Sequence, residues 1–302
     1  MAPSDGNVDF EKAEKLCKPS VMSLRLKADW ETATPLYEKA GNSYRQSKSY
    51  ERARDAFEKA AAGHQRQGSP WHSAKSLEKA ADMEKMGGGM DVEVLYRDAA
   101  RAYMEAGRTQ SAAEALARAA LHLEGLDPKA SSQLYMDAVE MLEDDGKQGL
   151  AGDLFRQAIG GQIRMARYAE AISLLLKFAL ACHSLQLTSS QCKAYLGAVV
   201  VWLFAQNAGE AWAVYQDAMG VDSFASSDGA FAAEALFEAY RSGDGEEVRK
   251  CVQGHSAFLE LDNQVVRLAK KLPQGDVRQM AASLGSSFSE AGTGHEEEDD
   301  LT

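Results

Sequence analysis

Proline is scarce in this chain, with six in 302 residues, where average usage of about 5% would place roughly fifteen. Few helix breakers and 50 alanines predict an all-helical protein. Long apolar runs are also missing. The longest, AYLGAVVVWLFA at 194–205, has twelve residues, whereas a membrane span needs about 20, so it reads as a buried core helix. The start, Met1-Ala-Pro-Ser-Asp-Gly-Asn, has no basic region followed by an apolar one, which argues against a secretory leader and for a cytoplasmic protein. The four cysteines, Cys17, Cys182, Cys192 and Cys251, lie far apart and are expected as free, buried thiols. Cations are outnumbered, 33 against 45 acids, for a formal charge of −12. Without a basic footprint to displace counterions, nucleic acid is not an expected partner.

Catalytic signatures are lacking as well. His64, His72, His122, His183, His255 and His295 show no metal-ligand spacing, and Cys182-His183 are adjacent on a helix and diverge. Gly87-Gly-Gly89 is not followed by the Gly-Lys-Ser/Thr of a phosphate loop and reads as an inter-helix turn. No nucleophile elbow, zinc-protease helix or dinucleotide fingerprint occurs. The expectation is a non-enzyme with no metal and no cofactor.

What the chain does have is a repeat. A small residue, a bulky one four later and a small one three later recur eleven times. Ala33/Tyr37/Ala40 opens the series, and Ala53/Phe57/Ala60, Ser73/Leu77/Ala80, Val92/Tyr96/Ala99 and Ala112/Leu116/Ala119 follow. Ser131/Tyr135/Ala138, Ala151/Phe155/Ala158, Ala171/Leu175/Phe178, Gln191/Tyr195/Ala198, Ala211/Tyr215/Ala218 and Ala232/Leu236/Ala239 complete it. The i, i+4, i+7 spacing puts each triplet on one helix face. A beat of about 20 residues leaves room for a helix of roughly 14–16 residues and a short turn. Paired units form hairpins slightly longer than a tetratricopeptide repeat, and each must stack to bury its apolar face. The fold predicted is an all-α, tetratricopeptide-like α-solenoid of antiparallel hairpins.

The chain divides on this reading into an N-terminal helix and loop (1–29), a solenoid (30–184), a C-terminal helical bundle (185–284) and a flexible acidic tail (285–302). Turn residues accompany the beat. Ser69-Pro70 and Asp127-Pro128 pair a capping side chain with a proline at the first helical position. Thr188-Ser-Ser-Gln191 reads as a capping box, and Gly41, Gly107, Gly146 and Gly243 are placed near helix ends. Pro35 predicts a helix that starts at Thr34 or kinks there. Past Ala239 the beat fades into a first helix from Phe10 to Cys17's C-terminal counterpart: a short helix over Glu246–Val252 and a longer one over Phe258–Leu272.

Three stretches could bind partners. Glu296, Glu297, Glu298, Asp299 and Asp300 precede Leu301; like charges extend such a segment toward a basic partner, or merely solubilise the chain. Val21, Met22, Leu24 and Leu26 alternate with or adjoin Lys18, Arg25 and Lys27. This loop suits an anionic bilayer surface, or simply caps the first repeat. Arg156, Arg164, Arg167 and Lys177, with one intervening acid, Glu170, and a looser set at Arg97, Arg101, Arg108 and Arg118 read as docks for an acidic surface or as ordinary solvated faces.

Several segments carry a resemblance. Ala112-Ala-Glu-Ala-Leu-Ala-Arg-Ala119, Leu126-Asp-Pro-Lys-Ala-Ser-Ser-Gln-Leu-Tyr135 and the ending Glu296-Glu-Glu-Asp-Asp-Leu-Thr302 are similar to the soluble attachment proteins of the N-ethylmaleimide-sensitive factor (NSF), with closest similarity to the gamma type. The resemblance implies an adaptor in intracellular vesicle transport and membrane fusion, including transport between endoplasmic reticulum and Golgi. Several copies would bind a four-helix bundle of syntaxin-type and related SNAREs and recruit the hexameric AAA+ ATPase NSF, which disassembles the bundle. It implies that the acidic tail with Leu301 contacts and stimulates the ATPase. It further implies that Arg118, Arg156, Arg164, Arg167 and Lys177 face the SNARE bundle, although Glu114 stands where alpha-type members tend to be basic. Val21, Met22, Leu24 and Leu26 would attach the cytoplasmic protein peripherally to a membrane, without the adjacent aromatics of the alpha type. The alternative is a tetratricopeptide-like scaffold or co-chaperone. With Asn42 and Asn207 isolated, no carboxylate clamp for a co-chaperone stands out.

Overall fold

Each small–bulky–small triplet falls on one face of its helix, and that face is buried. The computed structural model describes residues 5–18, 28–146 and 151–292, with side chains described no further than 284. Among these residues all eleven triplets are buried, except that Leu77 is only half-buried, and the regular elements are helices. The alanines allow close approach, while Tyr37, Phe57, Tyr135 and Phe155 fill the grooves between helices.

The chain forms two compact units, Met1–Lys147 and Gln148–Thr302. In the first, α1 (Asp5–Cys17), α2 (Trp30–Gln46), α3 (Tyr50–Arg66), α4 (Pro70–Gly87), α5 (Val92–Glu105), α6 (Thr109–Leu123) and α7 (Pro128–Asp144) pack each on the next in chain order. This is the solenoid pattern. The second unit continues it through α8 (Gly152–Arg164), α9 (Tyr168–Ser184), α10 (Thr188–Phe204) and α11 (Ala208–Met219). It then changes character. With α12 (Asp222–Ala225), α13 (Asp228–Arg241), α14 (Gly245–Gly254), a 3-10 turn (Ser256–Glu260), α15 (Asn263–Ala269) and α16 (Val277–Gly292), packing leaves chain order. Here α16 lies against α11 and α13, and α15 against α8 and α10, which makes a bundle.

The turns repeat too. Lys48, Gly68, Gly88, Gly107, Gly146, Ala166, Gln186, Gln206 and Gly243 all have positive φ, so one left-handed residue reverses the chain at nearly every beat. Four of these positions hold no glycine, which is why glycine alone did not reveal the turn. Gly41, expected near a helix end, lies instead in the buried middle of α2. A Cβ there would meet the Phe57 ring at 2.7–2.9 Å, so its role is close helix approach and not a turn.

Other local expectations are corrected. Helix α2 starts at Trp30 under an Asp29 cap and carries Pro35 in its interior. Asp127 accepts from the amides of Lys129 and Ala130, but Ser69 gives its hydroxyl to a 2.7 Å contact with His72 Nδ1 rather than to the helix end. No capping box forms at Thr188, which is already inside α10 after Leu187. Gln191 is buried, and its side chain reaches sideways to His183 (3.2 Å) and Ser223 (3.4 Å). The helix expected over Phe258–Leu272 is broken by extended backbone at Leu261 into the 3-10 turn and α15, and α16 continues past the expected 284/285 boundary to Gly292. Cys182 and Cys192 are buried as expected, but Cys17 and Cys251 are only partly so; all four are free.

Helix α1 closes the open face of the first hairpin. Phe10 packs edge-on against Tyr37, ring centroids 5.4 Å apart, and Glu14 accepts 2.7 Å hydrogen bonds from both Lys59 Nζ and Tyr37 Oη. Chiefly the Lys59 bond, then the Tyr37 bond, holds the Glu14 carboxyl below its ordinary 4.5. A lowered carboxylate contributes stability that is present above pH 4.5 and lost as pH falls through its folded value. Protection of α1 amides against hydrogen exchange should therefore fall below about pH 4.5, and Glu14→Gln should remove that pH dependence. An equal acid response in the variant would locate the cause elsewhere.

Candidate partner-binding surfaces

Two of the three stretches singled out by sequence, Val21/Met22/Leu24/Leu26 and Glu296/Glu297/Glu298/Asp299/Asp300/Leu301, lie outside the described residues. The cations can be placed. Arg156 and Arg164 lie exposed on α8, while Arg167 caps the start of α9 and Lys177 sits half-buried within it. The packed α8–α9 hairpin thus gathers four cations against Asp153 and Glu170, leaving it two charges positive in a chain of −12.

These cations are not equivalent. Arg156 pairs with Asp153 one turn earlier and also acts on Asp262, at the start of α15. Burial raises the Asp262 carboxyl, opposed first by Arg156 and then by Lys193. Arg167 pairs with Glu170. Arg164 reaches past Gly160, where a Cβ would come within 3.2 Å of its Nη1. Salt bridges between such exposed i, i+3 groups contribute little stability, so the paired side chains remain able to exchange partners.

Arg118 belongs to the first unit and differs in kind. Its Nη1 donates at 2.9 Å to Glu78 Oε1. Glu78 is only 7% exposed and also accepts from Tyr103 Oη at 2.7 Å and Lys75 Nζ at 3.0 Å. Burial, with the Glu78 hydrogen bond adding to it and Lys75 opposing, pushes the Tyr103 hydroxyl up to about 12. The Lys75 ammonium is raised, first by its hydrogen bond with Tyr103. Arg118 therefore serves as counter-ion to a buried carboxylate. Sequence reading missed Glu78, although a signal existed: the two opposite charges are 40 residues apart, two repeat periods, and so share one phase. The looser arginines are locally paired also, Arg97 with Glu93 and Arg101 with Asp98.

No cluster of three or more histidine, cysteine or acidic side chains capable of holding a metal occurs among the described residues. None of the described helices is long and apolar enough to cross a membrane.

The family model described as soluble NSF attachment protein, SNAP, matches residues 4–274. The chain belongs to the soluble NSF attachment protein family. It is 39% identical over 212 residues to the gamma-soluble NSF attachment protein of Arabidopsis thaliana, covering 70% of this chain and 70% of that relative. A second gamma-type attachment protein, from Dictyostelium discoideum, is 29% identical over 178 residues, 59% of this chain and 55% of the relative. The family match includes the α8–α9 cations, Arg118 and loop 19–27, and stops short of α16 and the terminal acidic run.

Proposed function

We propose that this protein is an adaptor that binds assembled SNARE four-helix bundles of syntaxin-type and related SNAREs, several copies to a bundle, and recruits and stimulates the hexameric ATPase NSF. On this reading it acts in the cytoplasm, peripherally attached to membranes through Val21, Met22, Leu24 and Leu26, in vesicle transport such as that between endoplasmic reticulum and Golgi. The observation that carries the reading is the family match over 4–274. The net positive α8–α9 hairpin in an otherwise acidic chain supports it, since such a strip complements an acidic partner surface. Arg164 and Arg156 are the cations most available to that partner. The run Glu296–Asp300 supplies five of the negative charges for a basic surface on the ATPase, with Leu301 as an apolar contact. The chain's own part is binding and orientation; ATP chemistry belongs to the partner.

The test is capture of purified full-length chain by the ATPase with and without an assembled SNARE bundle, followed by ATPase turnover. Expected are a ternary complex that needs the bundle, and an NSF turnover stimulated by wild type but weakly by Leu301→Ala, whose helical signal and melting temperature stay unchanged. Capture by neither partner would favour a scaffold role. Undiminished stimulation by Leu301→Ala would remove the tail assignment alone.

A further inference from the structure

Two tryptophans meet at the edge of the first unit where loop 19–27 begins and ends. The loop's two ends are tied together there: the Asp29 amide donates to the Leu16 carbonyl at 3.0 Å. Trp30 follows at once, as the first residue of α2. Gln67, in the turn between α3 and α4, donates its Nε2 to the Trp30 carbonyl at 2.8 Å and to Thr34 Oγ1 at 2.9 Å, which fixes this turn beside the start of α2. The next helix opens Pro70-Trp71. Trp71 is 41% exposed, a large apolar ring left in solvent. His72 holds the helix start against α3 by stacking on His64, ring centroids 5.2 Å apart.

Charge accompanies the rings. The Arg66 guanidinium lies over Trp30 at 4.8 Å from the ring centroid, and Lys75 Nζ is 6.0 Å from that of Trp71. Around this edge the sequence places Lys18, Arg25, Lys27 and Arg66 against Asp29 and Glu31, and the Asp29 carboxylate is occupied in capping Thr32. An exposed indole beside cations is the side-chain chemistry of a membrane–water boundary, where the ring sits at headgroup depth and the cations meet lipid phosphates and carboxylates. Reach agrees. Nine residues tied at both ends extend at most about 18 Å from their anchor, so the loop's apolar residues and the two indoles address one surface.

We propose that this edge docks on an anionic bilayer, with Trp71 and Trp30 as interfacial anchors and Arg66 as a headgroup contact. Aromatics contributed from α2 and α4 would then take the place of those the loop itself lacks. The inference rests on the bilayer reading given above and assigns residues outside the loop to it.

Full-length protein is mixed with phosphatidylcholine vesicles with and without phosphatidylserine, and also with vesicles whose lipids are brominated near the headgroup. Wild type should float with the anionic vesicles, and the brominated lipid should quench its indole fluorescence. Trp71→Phe should lose much of that quenching while still bound. Trp71→Ala should weaken partitioning on the order of tenfold, from the apolar area lost to the bilayer, and Arg66→Ala about fivefold, the contribution of one cation at an anionic surface. Both variants should keep the wild-type melting temperature to within a few degrees. A Met22→Asp/Leu24→Asp variant separates the two readings. If it abolishes flotation while Trp71→Ala and Trp71→Phe change neither partitioning nor quenching, the loop stands and the tryptophan edge is overturned. If the loop variant binds normally and the Trp71 variants do not, the edge stands without the loop. Absence of wild-type flotation overturns both.

Discussion

Phe57→Ala is expected to cost the first unit about 4 kcal/mol of stability, within the usual range for emptying a buried phenylalanine site. The ring is fully buried and lies directly over Gly41, so truncation leaves a hole that α2 and α3 cannot readily close. The companion variant is sharper because two effects oppose each other. Gly41→Ala in a helix interior should gain about 1 kcal/mol from propensity alone. Its new methyl, however, falls 2.7–2.9 Å from three atoms of the Phe57 ring, and overpacking costs about 1–3 kcal/mol. Packing should win, giving net destabilisation. In a Phe57→Leu background, where the ring edge is gone, Gly41→Ala should cost less by about 1 kcal/mol or more, the coupling expected between touching residues. Urea denaturation of the four proteins decides it. A stabilising Gly41→Ala, or strict additivity, would show that this contact does not set the distance between α2 and α3.

The second large effect separates folding from binding among the cations. Arg118→Glu puts a carboxylate against Glu78, which is buried and keeps only Lys75 and Tyr103. Breaking a buried ionic arrangement in this way costs about 3 kcal/mol, and Glu78→Gln in the same chain should restore most of it. Arg164→Glu, on an exposed helix end, should change stability by less than about 0.5 kcal/mol. SNARE disassembly should nevertheless slow for both. With Arg164→Glu, or with the Arg156→Glu/Arg164→Glu pair, the defect should shrink as salt rises, since exposed charges beyond about 10 Å are screened at 0.1 M. With Arg118→Glu it should persist at all salt concentrations and track a lowered melting temperature. A salt-independent defect in the α8 variants would count against an electrostatic dock.

The triplets were legible because each is local: residues four and seven apart on one helix share a face whatever the rest of the chain does. Their burial follows from stacking, which the repeat imposes. Leu77 departs from that rule for a visible reason, because the core side of α4 is taken by Ser76 and by Glu78 with its three donors. Local capping was less legible. Ser69 and Gln191 both had nearby helix ends to serve, yet each found a side-chain partner on a neighbouring element, His72's ring in one case and His183 and Ser223 in the other. A polar group bonds to whichever partner burial brings close, and spacing along the chain does not record that.

The scarcity of proline, the abundance of alanine and the 20-residue beat determined by themselves that this chain is a stack of helical hairpins, since period and side-chain size fix which faces must meet. Tertiary structure alone decided which charges remain available. It set Arg118 against Glu78 across two repeats, left Arg164 exposed on the α8–α9 hairpin, and brought Trp71 to the edge from which loop 19–27 departs. Those pairings depend on distances between segments far apart in sequence, which a periodic pattern repeats but cannot distinguish from one another.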